Sequence, residues 1–196
     1  MIDAGTPSLD ASTPDPSVRI ISGTAAVDDL DEFLGSIREI TDETGAVIQA
    51  FDADLIVSEE TLRLATRLAA RAIARDEAVA RDPAVEILLY AAGRRQIDQA
   101  LRLGVPEGRS DVIVVVADFG KVPRAERPDA DLTAAVERVE TLLVDAHGRD
   151  STETSRRFDS EAVTDWYSIT EHEIGATAGD LEAIVHERIA LLDVEK

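Results

Sequence analysis

The 196-residue chain contains no cysteine, which excludes disulfide staples and thiolate-bound metal. Lysine is nearly absent too: Lys121 and Lys196 stand alone, so the positive charge is almost all arginine. No apolar run approaches the roughly 20 residues of a membrane span. The amino end lacks the basic-plus-apolar pattern of a secretory signal, so a cytoplasmic location is expected. Only three histidines occur, His147, His172 and His186, and no two have the i, i+3 or i+4 spacing that sets two ligands on one helical face. No metal and no cofactor is expected.

Negative charge is abundant. Forty acids against twenty bases leave a net charge of −20. Acidic excess ordinarily argues against nucleic-acid partners, which need Lys or Arg at their phosphates. At molar ionic strength, however, the Debye length falls to about 3 Å, so only local contacts count and RNA stays open as a partner. The composition fits a halophilic archaeal cytoplasm. The length suits one core. Residues 1–17, rich in Pro, Ser, Thr and Asp, bury too little to repay ordering and are expected to form a flexible tail ahead of a domain at 18–196.

Apolar spacing and capping chemistry outline the elements. A β-prone run starts at Val18, Ile20 and Ile21. Acids at 28–32 open a helix carrying Leu30, Phe33, Leu34, Ile37 and Ile40, which Gly45 ends. A second strand follows at 47–51. Ser58 with Glu59 and Glu60 opens a long helix to about Arg75, with Leu62, Ala65, Leu68, Ala69, Ala72 and Ile73 as its buried stripe. Asp82-Pro83 starts another helix and Gly93 caps it, after which a further helix is predicted over 94–103. The run 112–117 is continuously apolar, so it reads as a strand covered on both faces. Helical spacing returns at 132–144, lapses over 147–160 as a predicted flexible insertion, and resumes after Asp180 with Leu181, Ile184, Val185, Ile189 and Leu192. These elements predict an α/β single domain with a small mixed β-sheet flanked by helices.

Three segments carry a family likeness: EILLYAAGRRQIDQAL at 86–101, the β-branched run at 111–119, and LEAIVHERIALLD at 181–193. On these the chain resembles the small kinase-binding (TPRKB-type) subunit of the KEOPS complex, which makes N6-threonylcarbamoyladenosine in tRNA. The likeness extends over much of 18–146 and fades between 147 and 165. It implies a non-catalytic subunit that binds the complex's small atypical protein kinase, meets the other KEOPS subunits indirectly, and helps capture tRNA through its unpaired 3′ CCA end.

Charge segregation suits that implication. Between Arg63 and Arg109 lie nine arginines and six acids, a net of +3, so the remainder carries −23. Arg63, Arg67, Arg71 and Arg75 recur every four residues and share a helical face. They form either a solvated, ion-paired stripe or an RNA-facing one. Arg94 and Arg95, at the predicted helix start after Gly93, either converge on a phosphate or pair with neighbouring acids. The candidate tRNA contacts are Tyr90, Arg94, Arg95, Gln96 and Arg109. Tyr90 stands where some relatives carry a basic residue, and it is a candidate to stack on a base. For the kinase the candidates are Ile184, Arg188, Leu191 and Leu192 of the last helix, whose stripe is otherwise core.

Catalytic patterns are wanting. Asp118-Phe119-Gly120 copies the magnesium-binding triplet of protein kinases, but the glycine-rich loop, strand lysine and catalytic-loop aspartate do not accompany it. A strand end turning at glycine accounts for it. Two rival readings are a small enzyme with a pocket at the end of strand 112–117, using Asp118 as base, and an adaptor that binds the kinase without touching RNA.

Overall fold

The structure is a computed structural model that describes residues 14–146, 158–176 and 180–194. At its centre lies β3 (Gly108–Ala117), in which every residue from Val112 to Ala117 is buried. β1 (Val18–Val27) pairs antiparallel with β3 along one side, Val18 opposite Ala117 and Val27 opposite Gly108. β2 (Val47–Asp52) pairs antiparallel along the other, Val47 again opposite Ala117. β1 and β2 run the same way, joined through helix α1 (Leu30–Thr44), but β3 inserts between them. Every bonded pair is therefore antiparallel, where a mixed sheet was expected.

Alternation along β3 sorts the core into two layers. Val112, Val114 and Val116 face α1 and α5 (Leu132–Thr141), packing with Ile37, Ile40, Ala135 and Val139. Ile113, Val115 and Ala117 face α2 (Glu59–Ala74) and α3 (Pro83–Ala92), packing with Leu62, Ala69, Ile87 and Leu88. A valine buried in this way contributes about 1.5 kcal/mol or more relative to an exposed one. A third cluster joins α6 (Ser160–Tyr167) to α8 (Leu181–Val194) through Val163, Tyr167, Ile184, Val185 and Ile189, resting on Leu64 and Leu68 of α2.

Helix ends follow the capping chemistry. Asp29, Ser58 and Asp82 each accept a backbone N–H of the helix they precede. Gly45 and Gly93 close α1 and α3 with φ of 75° and 61°, left-handed values that suit glycine. Asp180 accepts from Ala183 N–H at 3.2 Å and so caps α8.

Several expectations are corrected. Beyond Gly93 there is no helix from 94 to 103. A short α4 (Ile97–Ala100) leads into a 3-10 turn (Leu101–Leu103), because the backbone N–H of Arg94 is turned back onto the Leu89 carbonyl. The predicted tail at 1–17 falls mostly outside the described residues. Its last part belongs to the fold, with Pro16 buried and the Ser17 carbonyl accepting from Asp118 N–H at 2.9 Å. The predicted insertion at 147–160 also lies outside them up to residue 157. Asp159, however, caps α6 and donates its N–H to the Asp54 carbonyl at 2.9 Å, so this end of the predicted insertion belongs to the fold. Helices α6 and α7 (Glu171–Ala176) were not anticipated.

One carboxylate inside the fold is buried. Glu86, 2% exposed, accepts through Oε2 from the backbone N–H groups of Val79 and Ala80 at 3.0 and 2.8 Å, fixing the approach to α3. Glu86→Ala leaves both donors short of this partner and is expected to lower stability by about 2 to 4 kcal/mol, read as a fall in the urea unfolding midpoint. Glu86→Gln, which keeps one acceptor oxygen, is expected to cost less.

Candidate functional site

Helix α8 is pinned along its inner face by polar groups of α2 and α3. At its start, Ser58 Oγ donates to Glu182 Oε1 at 2.5 Å while accepting the Thr61 N–H at 3.2 Å. One turn on, Thr61 Oγ1 lies 3.0 Å from His186 Nε2. Near its end, Asp193 receives the Tyr90 hydroxyl at 3.0 Å and Arg71 Nη1 at 3.5 Å, and Arg95 Nη2 donates to the Leu192 carbonyl at 2.7 Å. Burial first, and the Asp193 carboxylate second, push the Tyr90 phenol well above its usual range, so it stays a donor.

The outer face of α8 is free of these ties. Leu191 is 41% exposed and Val194 76% exposed. Arg188 Nη2 donates to Glu173 Oε1 at 2.5 Å, joining α8 to α7. The Thr170 backbone N–H, and after it Arg188, hold the Glu173 carboxyl below its usual range. Of the four kinase-contact candidates, Leu191 is the exposed one, and Arg188 is half-buried. Leu192 is partly buried against the main core, and Ile184 is enclosed in the α6–α8 cluster. Ile184 is therefore withdrawn from the contact surface, because it lies on the i, i+3, i+4 stripe that seats the helix.

Three members of the arginine series are ion-paired. Arg63 lies 3.8 Å from Glu59, Arg67 3.4 Å from Glu60, and Arg71 reaches Asp193. The first two are partly exposed surface pairs, worth at most about 1 kcal/mol each.

Arg94 and Arg95 do not converge on one point. Arg94 turns to α6, where Nη2 donates to the Trp166 carbonyl at 2.6 Å and the guanidinium sits 5.0 Å from the indole centre. Arg95 turns to α8. The expected phosphate seat at a helix start is not formed, since α4 spans only four residues and Arg94 N–H is already bonded. Tyr90 is only 2% exposed with its hydroxyl engaged, so stacking on a base is closed to it. Gln96 is exposed ahead of α4, and Arg109 is exposed at the far end of β3, 3.7 Å from Asp145.

The aromatic that does accompany Arg94 is Trp166, which the sequence reading passed over. Its Nε1 donates to the Ala92 carbonyl at 3.2 Å, and the neighbouring Tyr167 hydroxyl donates to the Ala91 carbonyl at 2.5 Å. Burial pushes the Tyr167 phenol upward as well. Arg94 and Trp166 line a cleft of about 510 Å³ together with Leu55, Gln99, Arg102 and Asp165. Asp159 as a cap, followed by Val163, Trp166 and Tyr167 at helical spacing, was the available signal for this helix.

Asp118 is occupied in structure. Its Oδ1 accepts from Gly120 N–H at 2.9 Å and Ala130 N–H at 3.2 Å, clasping the segment that crosses the end of β3. No helix among the described residues is long and apolar enough to cross a membrane.

An α/β domain that carries a helix pinned on one side and exposing Leu191 and Val194 on the other is suited to binding another protein. The model of the family described as Kinase binding protein CGI-121 matches residues 31–193. No curated protein matches the chain. With most of its length matched, and with the helix at 181–193 inside that match, the chain belongs to the CGI-121 family of kinase-binding proteins.

Proposed function

We propose that this chain is the kinase-binding subunit of a KEOPS complex, and that it serves N6-threonylcarbamoyladenosine formation by holding the complex's small atypical kinase and receiving the 3′ CCA end of tRNA. Its role is binding and positioning, without a catalytic step of its own. Other KEOPS subunits are met through the kinase. The observation that carries the reading is the family match over the folded domain, with α8 inside it. The acidic surface suits a salt-rich archaeal cytoplasm, where steering by distant charge is screened and close contacts decide affinity.

For the kinase, the support is the outer face of α8, where Leu191 and Val194 are exposed although the helix is fixed from behind. A rigid helix presenting apolar side chains loses little entropy on docking. Leu191→Asp is expected to leave the circular dichroism and unfolding midpoint of the free chain unchanged. In the complex it sets an unpaired charge against apolar surface, so the kinase should no longer co-elute in size-exclusion chromatography. Full co-elution of a folded Leu191→Asp chain would move the kinase surface elsewhere.

For RNA, the support is the cleft of Arg94, Trp166, Gln99 and Arg102. Unpaired bases stack on indole and guanidinium planes and offer their edges to Gln, contacts that withstand salt better than phosphate pairing. Arg94 is also a structural tie, so the informative variant is the exposed Arg102. Arg102→Glu is expected to weaken tRNA binding by about 1 kcal/mol or more in filter titrations. Trimming the CCA end from wild-type tRNA should do at least as much. Equal affinity for intact and trimmed tRNA would leave the adaptor reading, kinase binding without RNA contact, as the better one.

A further inference from the structure

The outer edge of β2 offers no row of free backbone groups to another strand. The Ala50 carbonyl accepts from Gln49 Nε2 at 2.9 Å, the Ala46 carbonyl accepts from Arg127 Nη2 at 3.4 Å, and Phe51 bridges Gly104. Beside that edge, α1 and α3 part around a groove of about 380 Å³. It reaches both layers of the core, since Ile37 and Ile48 of one and Val47 and Leu88 of the other line it. A mostly apolar concavity of this size suits a small ligand, which brings no peptide backbone in need of partners.

The lining changes character along its length. α1 ends at Thr44, just before β2 begins at Val47, so its second half, with Arg38 and Thr41, lies towards the start of β2. Arg127 is tied to Ala46 at that same end. Leu34 belongs to the first half of α1, and the far end of β2 meets Gly104, beside which Leu101 and Val105 complete the wall. Leu34 and Leu101 are exposed, at 37% and 56%. One end of the groove is therefore cationic and the other apolar. Among the described residues neither Arg38 nor Arg127 forms an ion pair. Asp82, the one acid in the lining, is engaged as the cap of α3, accepting the Ala84 N–H at 2.9 Å. Two guanidinium groups without an acid, in a chain of net charge −20, call for an anionic occupant. A second copy of this chain brings another −20 and is the poorer fit at low salt.

We propose that this groove binds a small amphiphilic carboxylic acid, with a single carboxylate on a slender apolar body about 10 Å long, the rise of β2 from 47 to 50. The carboxylate meets Arg38 and Arg127 at the cationic end. The apolar body lies between Leu34 and Leu101 and removes both from water. A monoanion matches the donors present, because Arg127 already gives one to the Ala46 carbonyl. The groove takes no lining residue from α8 and shares none with the Trp166 cleft, so its ligand is distinct from the kinase and the tRNA of the proposed function.

The test titrates the full chain by calorimetry with octanoate, with 1-octanol as its uncharged counterpart and with acetate, which lacks the apolar body. The salt is the lowest at which circular dichroism finds the chain folded. Octanoate is expected to bind once per chain, about tenfold or more tighter than octanol, and acetate to give no binding heat. Leu34→Glu is expected to weaken octanoate about tenfold or more while leaving the unfolding midpoint unchanged. Arg38→Glu should bring octanoate down towards the affinity of octanol and leave octanol itself unaffected. No binding, several octanoates per chain, octanol binding as tightly as octanoate, or indifference to both substitutions overturns the proposal. So does a ligand-free dimer, seen by sedimentation, that Leu34→Glu dissociates, because the occupant is then a second copy. A rise in octanoate affinity on removing residues 1–13 overturns it as well, since the chain's own amino end then fills the groove.

Discussion

A strand that is apolar at six successive positions cannot face water on either side, and that constraint organises this molecule. Residues 112–117 of β3 need a hydrophobic layer above and below. α1 and α5 supply one, and α2 and α3 the other. Helix α8 and its partner α6 are then a third layer, resting on α2 rather than on the sheet. The helix proposed to meet the kinase is thus built on the outside of a finished core, with its far side exposed at Leu191 and Val194.

What holds that outer layer is as informative as what it presents. Side chains of Ser58, Thr61, Arg71, Tyr90 and Arg95 all reach inward-facing groups of α8. Hydrogen bonds to charged groups contribute more than neutral ones, roughly 1.5 to 3 kcal/mol each. A helix with a modest apolar stripe is therefore fixed without burying every apolar residue it carries. Leu191 and Val194 remain exposed. The same economy explains Tyr90, Arg94 and Arg95: residues that looked like RNA ligands serve as ties between layers, while Gln96 nearby and Gln99, Arg102 and Asp165 of the neighbouring cleft are exposed.

Much of the fold was legible because its signals are local. Ser58, Asp82, Gly45 and Gly93 announce helix ends by chemistry that acts within a few residues, and the continuous run 112–117 announces a strand buried on both faces. Antiparallel pairing was not legible, since strand order depends on contacts far apart in sequence. The site was read less well for a related reason. An arginine's partner is chosen in space: Arg94 meets Trp166, 72 residues away, and Arg95 meets Leu192, 97 residues away. Helix α6 was overlooked because it is only two turns long and follows a segment without periodicity.

The proposed seat for the kinase is α8, held in place by its ties to α2 and α3 before any partner arrives. Hydrogen exchange of the chain, alone and with the kinase, reads that directly. The strongest added protection is expected on the peptides covering 181–194, with the strands unchanged. Protection concentrated along 47–52 or around 160–167, with 181–194 exchanging as in the free chain, would contradict it.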